Sequence, residues 1–179
     1  MSKEYDKPIF LDVKIIDFND KDIEKKYVEE IKNLCADQAF AVLATYGANG
    51  TSASLISFAV DSDLRNIVFM TPRNTAKYDH ILENPDIAML IDNRSDRPDS
   101  INQISALTIS GTANAIVNGD DIEKWTDLFL KKHPNLLDFA HSPSTAAIII
   151  DVKKCVFVSK FQEVFEWHPD WQRGQGTIG

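Results

Sequence analysis

The sequence predicts a mainly β fold with flanking helices, in which six antiparallel strands close into a small barrel. Three observations carry this expectation. Apolar runs recur at 40–46, 51–60, 67–70, 86–92, 103–117, 146–152 and 155–161, most of them too short for a helix. Short turns such as Gly47-Ala48-Asn49-Gly50 and Asp61 to Asn66 join the first three of these runs, which makes a meander. The helical patterns come at irregular intervals, so an alternating parallel βαβ sheet is disfavoured, and closure removes the edges an open sheet would expose.

The chain of 179 residues, 44% of them hydrophobic, suffices for one buried core, and a single domain is expected over 20–162. A formal charge of −8 and a pI near 4.9 argue against a nucleic-acid or anionic-membrane surface. The charged N-terminus MSKEYDKPIFLDVK lacks the apolar core of a secretory signal, and no apolar run approaches the ~20 residues needed to cross a bilayer, so a cytoplasmic protein is expected. Cys35 and Cys155 have neither metal-site spacing nor the density of a disulfide scaffold, and read as buried thiols.

In order, residues 1–19 show no clear period and read as an arm that packs on the domain or a partner. Ile23, Tyr27, Ile31 and Leu34 then form one helical stripe running to about Ala36, with Asp20 or Asp22 as its cap. The strand from Phe40 turns through Asn49-Gly50, a pair that favours positive φ, into a returning strand at Thr51 to Val60. On that strand Ala53, Leu55 and Ser57 share one face and Ser54, Ile56 and Phe58 the other, leaving room on both. Ile67 to Met70 forms a third strand, after which Pro72 forbids a continued ladder. A helix follows from Asn74 or Thr75 to the Asn84-Pro85 stop.

The run from Asp86 to Asp92 reads as a fourth strand buried on both faces. Residues 93–102 are a polar loop, and Gly111 within the next strand marks a bulge or a close backbone approach. Asp120 and Glu123 form a capping box for a helix presenting Ile122, Trp125, Leu128 and Phe129, ended by Pro134. A short helical piece at Leu136 to Ala140 precedes two apolar strands joined at Lys153-Lys154. The tail 163–179 carries Trp167, His168 and Trp171.

The chemistry concentrates at FMTPRNTAKYDHILENP, residues 69–85, where a strand ends and a helix begins. Thr71, Asn74, Thr75 and Lys77 offer hydroxyls, an amide and an ammonium beside the free N–H groups of a helix's first turn, a set suited to a phosphate. The same short pattern also fits an ordinary N-cap followed by a solvated lysine. None of the four histidines has metal-site spacing, and no Ser-His-Asp or Cys-His set is visible.

The order of elements gives the motif its context. A helix, a strand pair, a strand ending in FxT, a helix with Thr75 and Lys77 in its first turn, the Asn84-Pro85 stop and a later SGxA strand together resemble the FMN-binding split barrel of the pyridoxamine 5′-phosphate oxidase-like proteins. The resemblance covers roughly Ile23 to Phe161. It implies a homodimer holding FMN between subunits, with the phosphate on Thr75 and Lys77. Met70, Thr71, Arg73 and Asn74 would lie beside it, and Ser54, Leu55, Ile56 and Ser57 along the ring and ribityl chain. Gln103 would approach from the partner. Trp167 and Trp171, which follow the last strand, read first as structural packing, with stacking on a flavin or sealing a dimer as the functional alternative. Ala76 and Ala53 stand where the oxidases carry arginines, so Arg73 is the substitute within the same loop. The tail EWHPDWQRG does not match the oxidases' substrate motif, which disfavours vitamin B6 oxidation. What remains is an FMN-dependent oxidoreductase acting on a small-molecule redox substrate. The alternatives are a haem-binding or haem-degrading split barrel, with His168 as axial ligand, and a non-catalytic flavin-binding stress or redox protein. No catalytic residue is assigned.

Overall fold

The structure, a computed structural model, describes residues 14–15, 21–96, 101–116, 121–160 and 163–169. Most of the arm at 1–19, the caps Asp20 and Asp120, part of the loop at 93–102, Phe161, and the tail from residue 170 with Trp171 lie outside them.

The described chain runs β1 (Lys14–Ile15), α1 (Lys21–Asp37), β2 (Phe40–Gly47), β3 (Gly50–Val60), β4 (Asn66–Pro72), α2 (Ala76–Glu83) and β5 (Asp86–Asp92). It continues through β6 (Ala106–Ile116), α3 (Asp121–Lys132), α4 (Leu137–Ala140), β7 (Thr145–Ser159) and β8 (Glu163–Trp167). Strands β7, β4, β3, β2, β5 and β6 pair in that order, and β6 pairs back to β7, so six antiparallel strands close a barrel. β8 adds to β7, and the two residues of β1 pair in parallel with β8, so the arm does meet the domain at Lys14–Ile15.

Closure follows from alternation. Inward residues such as Leu43, Phe58, Phe69, Met89, Ile91, Leu107, Ile109, Ile148 and Phe157 fill the interior, and Tyr27, Ile31 and Leu34 of α1 pack against them. A second cluster lies outside the wall, where Trp125 and Phe129 of α3 cover Val68, Met70, Ala147 and Ile149. Burial pushes the thiols of Cys35 and Cys155 up to about 12, which keeps both protonated.

Several expectations change. Strand β5 is buried on one face only, because Ile87, Met89 and Ile91 point inward while Asp86 and Ala88 stay exposed. The two strands expected around Lys153-Lys154 are one strand, β7. The register shift at Ser110/Gly111 is absorbed there by an extra residue, Lys153. Lys153 and Lys154 bind Asp86 and Glu166 at 3.0 and 2.9 Å on the outer surface, so the charges mark a bend in the strand. Gly111 fulfils both readings of it: it sits at the bulge, and a Cβ there would stand 2.5 Å from the Asp151 carbonyl. In the first hairpin the positive φ of 99° falls on Gly50, which follows the two-residue turn Ala48-Asn49. Ile23, expected in the apolar stripe of α1, is exposed.

Candidate functional site

Strand β4 delivers the candidate phosphate loop. Phe69 and Thr71 face the barrel interior and Val68 and Met70 face α3, so only Thr71 of the expected pair arrives at the loop as a side chain. The amide of Arg73 donates to the Ser144 carbonyl at 2.8 Å, which ties the loop to the entry of β7.

The Thr75 hydroxyl turns back and donates to the Pro72 carbonyl at 2.9 Å, with the Thr71 hydroxyl 3.2 Å away. Thr75 is extended at φ −126° and ψ 146°, and its side chain caps no amide of α2. The first intrahelical bonds run from the amides of Tyr78 and Asp79 to the Thr75 carbonyl, leaving the preceding amides of Ala76 and Lys77 at the positive end of the helix dipole. Lys77 is half-buried, and among the described residues its ammonium has no ion-pair partner. The Arg73 guanidinium donates to the Tyr78 hydroxyl at 3.1 Å and lies 5.9 Å from that ring's centroid. Two adjoining hydroxyls and the Arg73 guanidinium thus flank the N-terminus of α2, whose first turn carries Lys77, with the exposed Asn74 beside them.

The other expected residues separate. On β3, Leu55 and Ser57 point outward and Ser54 and Ile56 inward, with Ile56 in the core, so the four cannot all present side chains to one ligand. Gln103 is exposed in a 3-10 turn, and β6 begins only at Ala106. Trp167 is buried in the core on β8, opposite Cys155, because the tail expected there forms a strand. His168 uses both ring nitrogens, at 3.2 Å from the Lys153 carbonyl and 3.0 Å from Glu166. The Lys154 ammonium, with His168 after it, holds the Glu166 carboxyl below the usual carboxylate range.

His80, which reads from the sequence as structural, and Glu83 hold α2 in place. His80 is buried with its Nδ1 3.1 Å from the Thr45 hydroxyl, and Glu83 accepts from the Ala48 amide at 2.7 Å. Nothing local marks these pairs, since their partners lie 35 residues away in sequence.

Next to the loop, the outer face of β2, β3 and β5 is apolar and uncovered. Leu55 is 68% exposed, and Phe40 and Tyr46 are 56% exposed. Val42 pairs with both Leu55 and Leu90, and Ala44 with Ala53 and Ala88, so the patch is continuous across three strands. Among the described residues no cluster of His, Cys, Asp or Glu could hold a metal ion, and no helix is long and apolar enough to cross a membrane.

A closed six-stranded antiparallel barrel with an anion-suited helix start beside an open sheet face defines a split-barrel protein. A family model for pyridoxamine 5′-phosphate oxidase matches residues 27–168, and the chain belongs to that family. No curated protein sequence matches it. Among solved structures, Campylobacter jejuni ChuZ is similar at a TM-score of 0.70 and 17% identity, over 80% of this chain and 60% of that one. A heme binding protein from Mycobacterium smegmatis is similar at 0.70 and 15%, over 79% and 57%. A Clostridium acetobutylicum protein related to general stress protein 26 of B. subtilis, of the pyridoxinephosphate oxidase family, gives 0.62 and 16%, over 82% and 97%.

Proposed function

We propose that this chain is a cytoplasmic FMN-binding oxidoreductase, working as a homodimer with the flavin between its subunits. The observation that carries the reading is the corner where Thr71, Arg73, Thr75 and Lys77 meet the N-terminus of α2. A phosphate there would accept from the half-buried Lys77 ammonium, which has no ion-pair partner among the described residues, and from the leading amides of the helix. The Thr75 hydroxyl would exchange its bond to the Pro72 carbonyl for one to the ligand. Charge-assisted bonds of this kind contribute about 1.5–3 kcal/mol each, and the helix dipole about 0.3–1 kcal/mol.

The apolar face at Phe40, Tyr46 and Leu55 supports the dimer, because burying it against a second copy removes a large exposed patch from water. Bound at that interface, FMN supplies electron transfer to a small-molecule substrate, and the protein supplies orientation and electrostatics. With Ile56 and Trp167 in the core, and Ser54 on the opposite face of β3 from Leu55 and Ser57, the flavin would meet the loop and one face of β3, and Gln103 would still approach from the partner. A non-catalytic flavin-binding role, as in a stress or redox protein, would use the same corner.

A haem-binding reading is favoured by the similarity to the heme binding protein from Mycobacterium smegmatis. It lacks its expected ligand here, because both ring nitrogens of His168 are engaged.

The test is the visible spectrum of protein purified from cells, followed by thermal melting with added FMN. Flavin bands, or an increase in Tm with FMN, support the proposal. At a hundredfold excess over Kd a ligand stabilises the native state by about 2.7 kcal/mol. A Soret band supports the haem reading. A colourless protein whose Tm is unchanged by FMN sinks the flavin proposal, and one that also gains no Soret band with added haem sinks the haem reading.

A further inference from the structure

At the far end of β4 from Thr71, a cavity of about 370 Å³ opens between α1, α3 and the turn that joins β3 to β4. The separation from the phosphate loop is on the order of 15 Å along the strand. Its walls are apolar, formed by Ala59, Val60, Leu64 and Leu128, while Lys32, Lys131 and Lys132 border it. In a chain of net charge −8, a cavity bordered by three lysines and one aspartate, Asp61, is a local excess of positive charge.

Lys132 is the half-buried centre of this arrangement. Its ammonium donates to the Cys35 carbonyl at 2.6 Å and lies 3.8 Å from the centroid of the buried Phe58 ring. The carbonyl bond has a structural role, since α1 has no basic residue in its own last turn and Lys132 caps it from α3. That role leaves the ammonium without a close ion pair: Asp37 of α1 acts on it from a distance, and among the described residues no carboxylate lies within ion-pair distance of Lys132. Asp61 borders the cavity, but its two carboxylate oxygens already accept from the Arg65 amide and the Asn66 side chain at 2.9 and 2.8 Å. Capping explains neither the cavity nor the convergence of Lys32 and Lys131 on it.

We propose that this cavity is a second binding site, for a small apolar carboxylate whose head group pairs with Lys132 while its hydrocarbon body fills the space between α1 and α3. The volume falls within the range of small-molecule sites, and the lining combines apolar walls with a few convergent polar groups. Binding would bring a counter-charge to ion-pair distance of the half-buried ammonium, and Lys32 and Lys131 would draw the anion in.

The site also couples ligand to proton. Burial pushes the Lys132 ammonium down to about 8, against the opposing influence of Cys35 and then Asp37 on α1. Lys32 from α1, Asp61 from the turn, and Lys131 and His133 from its own end of the chain complete the titratable groups around it. An anion paired with the protonated amine holds that proton, so affinity weakens as pH rises above 8.

Isothermal titration of the full-length protein with octanoate, and with octanamide as its uncharged analogue, tests this. At pH 7 octanoate binds saturably at one site and octanamide at least tenfold more weakly. Octanoate affinity falls at least threefold between pH 7 and pH 9.5, and Lys132→Met lowers it at least tenfold. No saturable binding, equal affinity for octanamide, a flat pH profile or an unchanged Lys132→Met variant each overturns the site. If Lys132→Met does not fold, Lys32→Ala/Lys131→Ala replaces it, with a loss of at least threefold expected and an unchanged affinity overturning the proposal. None of these readouts depends on flavin binding.

Discussion

The Nδ1 of His80 lies 3.1 Å from the Thr45 hydroxyl, and both side chains are buried. This contact joins the last turn of α2 to β2 and so sets the position of the helix whose first turn carries Thr75 and Lys77. Gly47 makes room for it: a Cβ there would collide with the His80 ring and stand 2.8 Å from the Glu83 carboxylate. Gly47→Ala is therefore expected to cost about 1–3 kcal/mol through overpacking, seen as a lower urea midpoint. An unchanged midpoint would mean that α2 yields without loss.

Lys77→Ala tests the loop itself. Removing one charge-assisted bond of about 1.5–3 kcal/mol should weaken FMN binding roughly tenfold or more, with little change in stability because the residue is only half-buried. Flavin fluorescence quenching measures the affinity, and equal affinity would place the phosphate elsewhere.

Among the described residues Leu55 is the most exposed of the large hydrophobic side chains, and it pairs with Val42 at the centre of the open face. Leu55→Asp would bury a carboxylate in any interface formed there and should shift the protein from dimer to monomer by light scattering. Circular dichroism should stay the same. A dimer that survives the substitution rules out this face as its interface.

Stability should fall as the solution becomes alkaline. Burial raises Cys35 and Cys155 from 9.0 to about 12, and burial followed by the Glu163 hydrogen bond raises Tyr27 from 10.0 to about 12. Between the unfolded and folded values the native state binds more protons than the unfolded chain, so stability drops with rising pH. Lys132, lowered from 10.5 to about 8, acts oppositely between those values, because there the unfolded chain binds more. The two thiols outweigh one amine from pH 9, so urea melts should show a net decline. In Cys35→Ala/Cys155→Ala the slope between pH 9 and 10 should flatten or reverse, and an unaltered slope contradicts the assignment.

Much of the architecture is legible in the linear chain because its signals act over a few residues. Periodicity located α1 and the apolar face of α3, Asn84-Pro85 closed α2, and Gly111 marked the bulge. The phosphate corner was legible for the same reason, since Thr71 to Lys77 spans one strand end and one helix start. Errors arose where a local feature had two meanings. Lys153-Lys154 has the polarity of a turn, yet a strand whose outer face meets solvent carries charge there, with the ladder shifted by one residue and the strand continuing. The run at 86–92 is apolar enough for burial on both faces, although the barrel covers only one.

The sequence by itself determined the set of elements, the antiparallel barrel and a corner suited to an anion. Only the tertiary structure decided that Trp167 enters the core, that Met70 faces α3, that His80 holds α2 through Thr45, and that Lys132 caps α1 across 97 residues of chain. Those outcomes depend on which distant strands close the barrel, and a side chain's direction becomes fixed only when its neighbours on the adjoining strand or helix are in place.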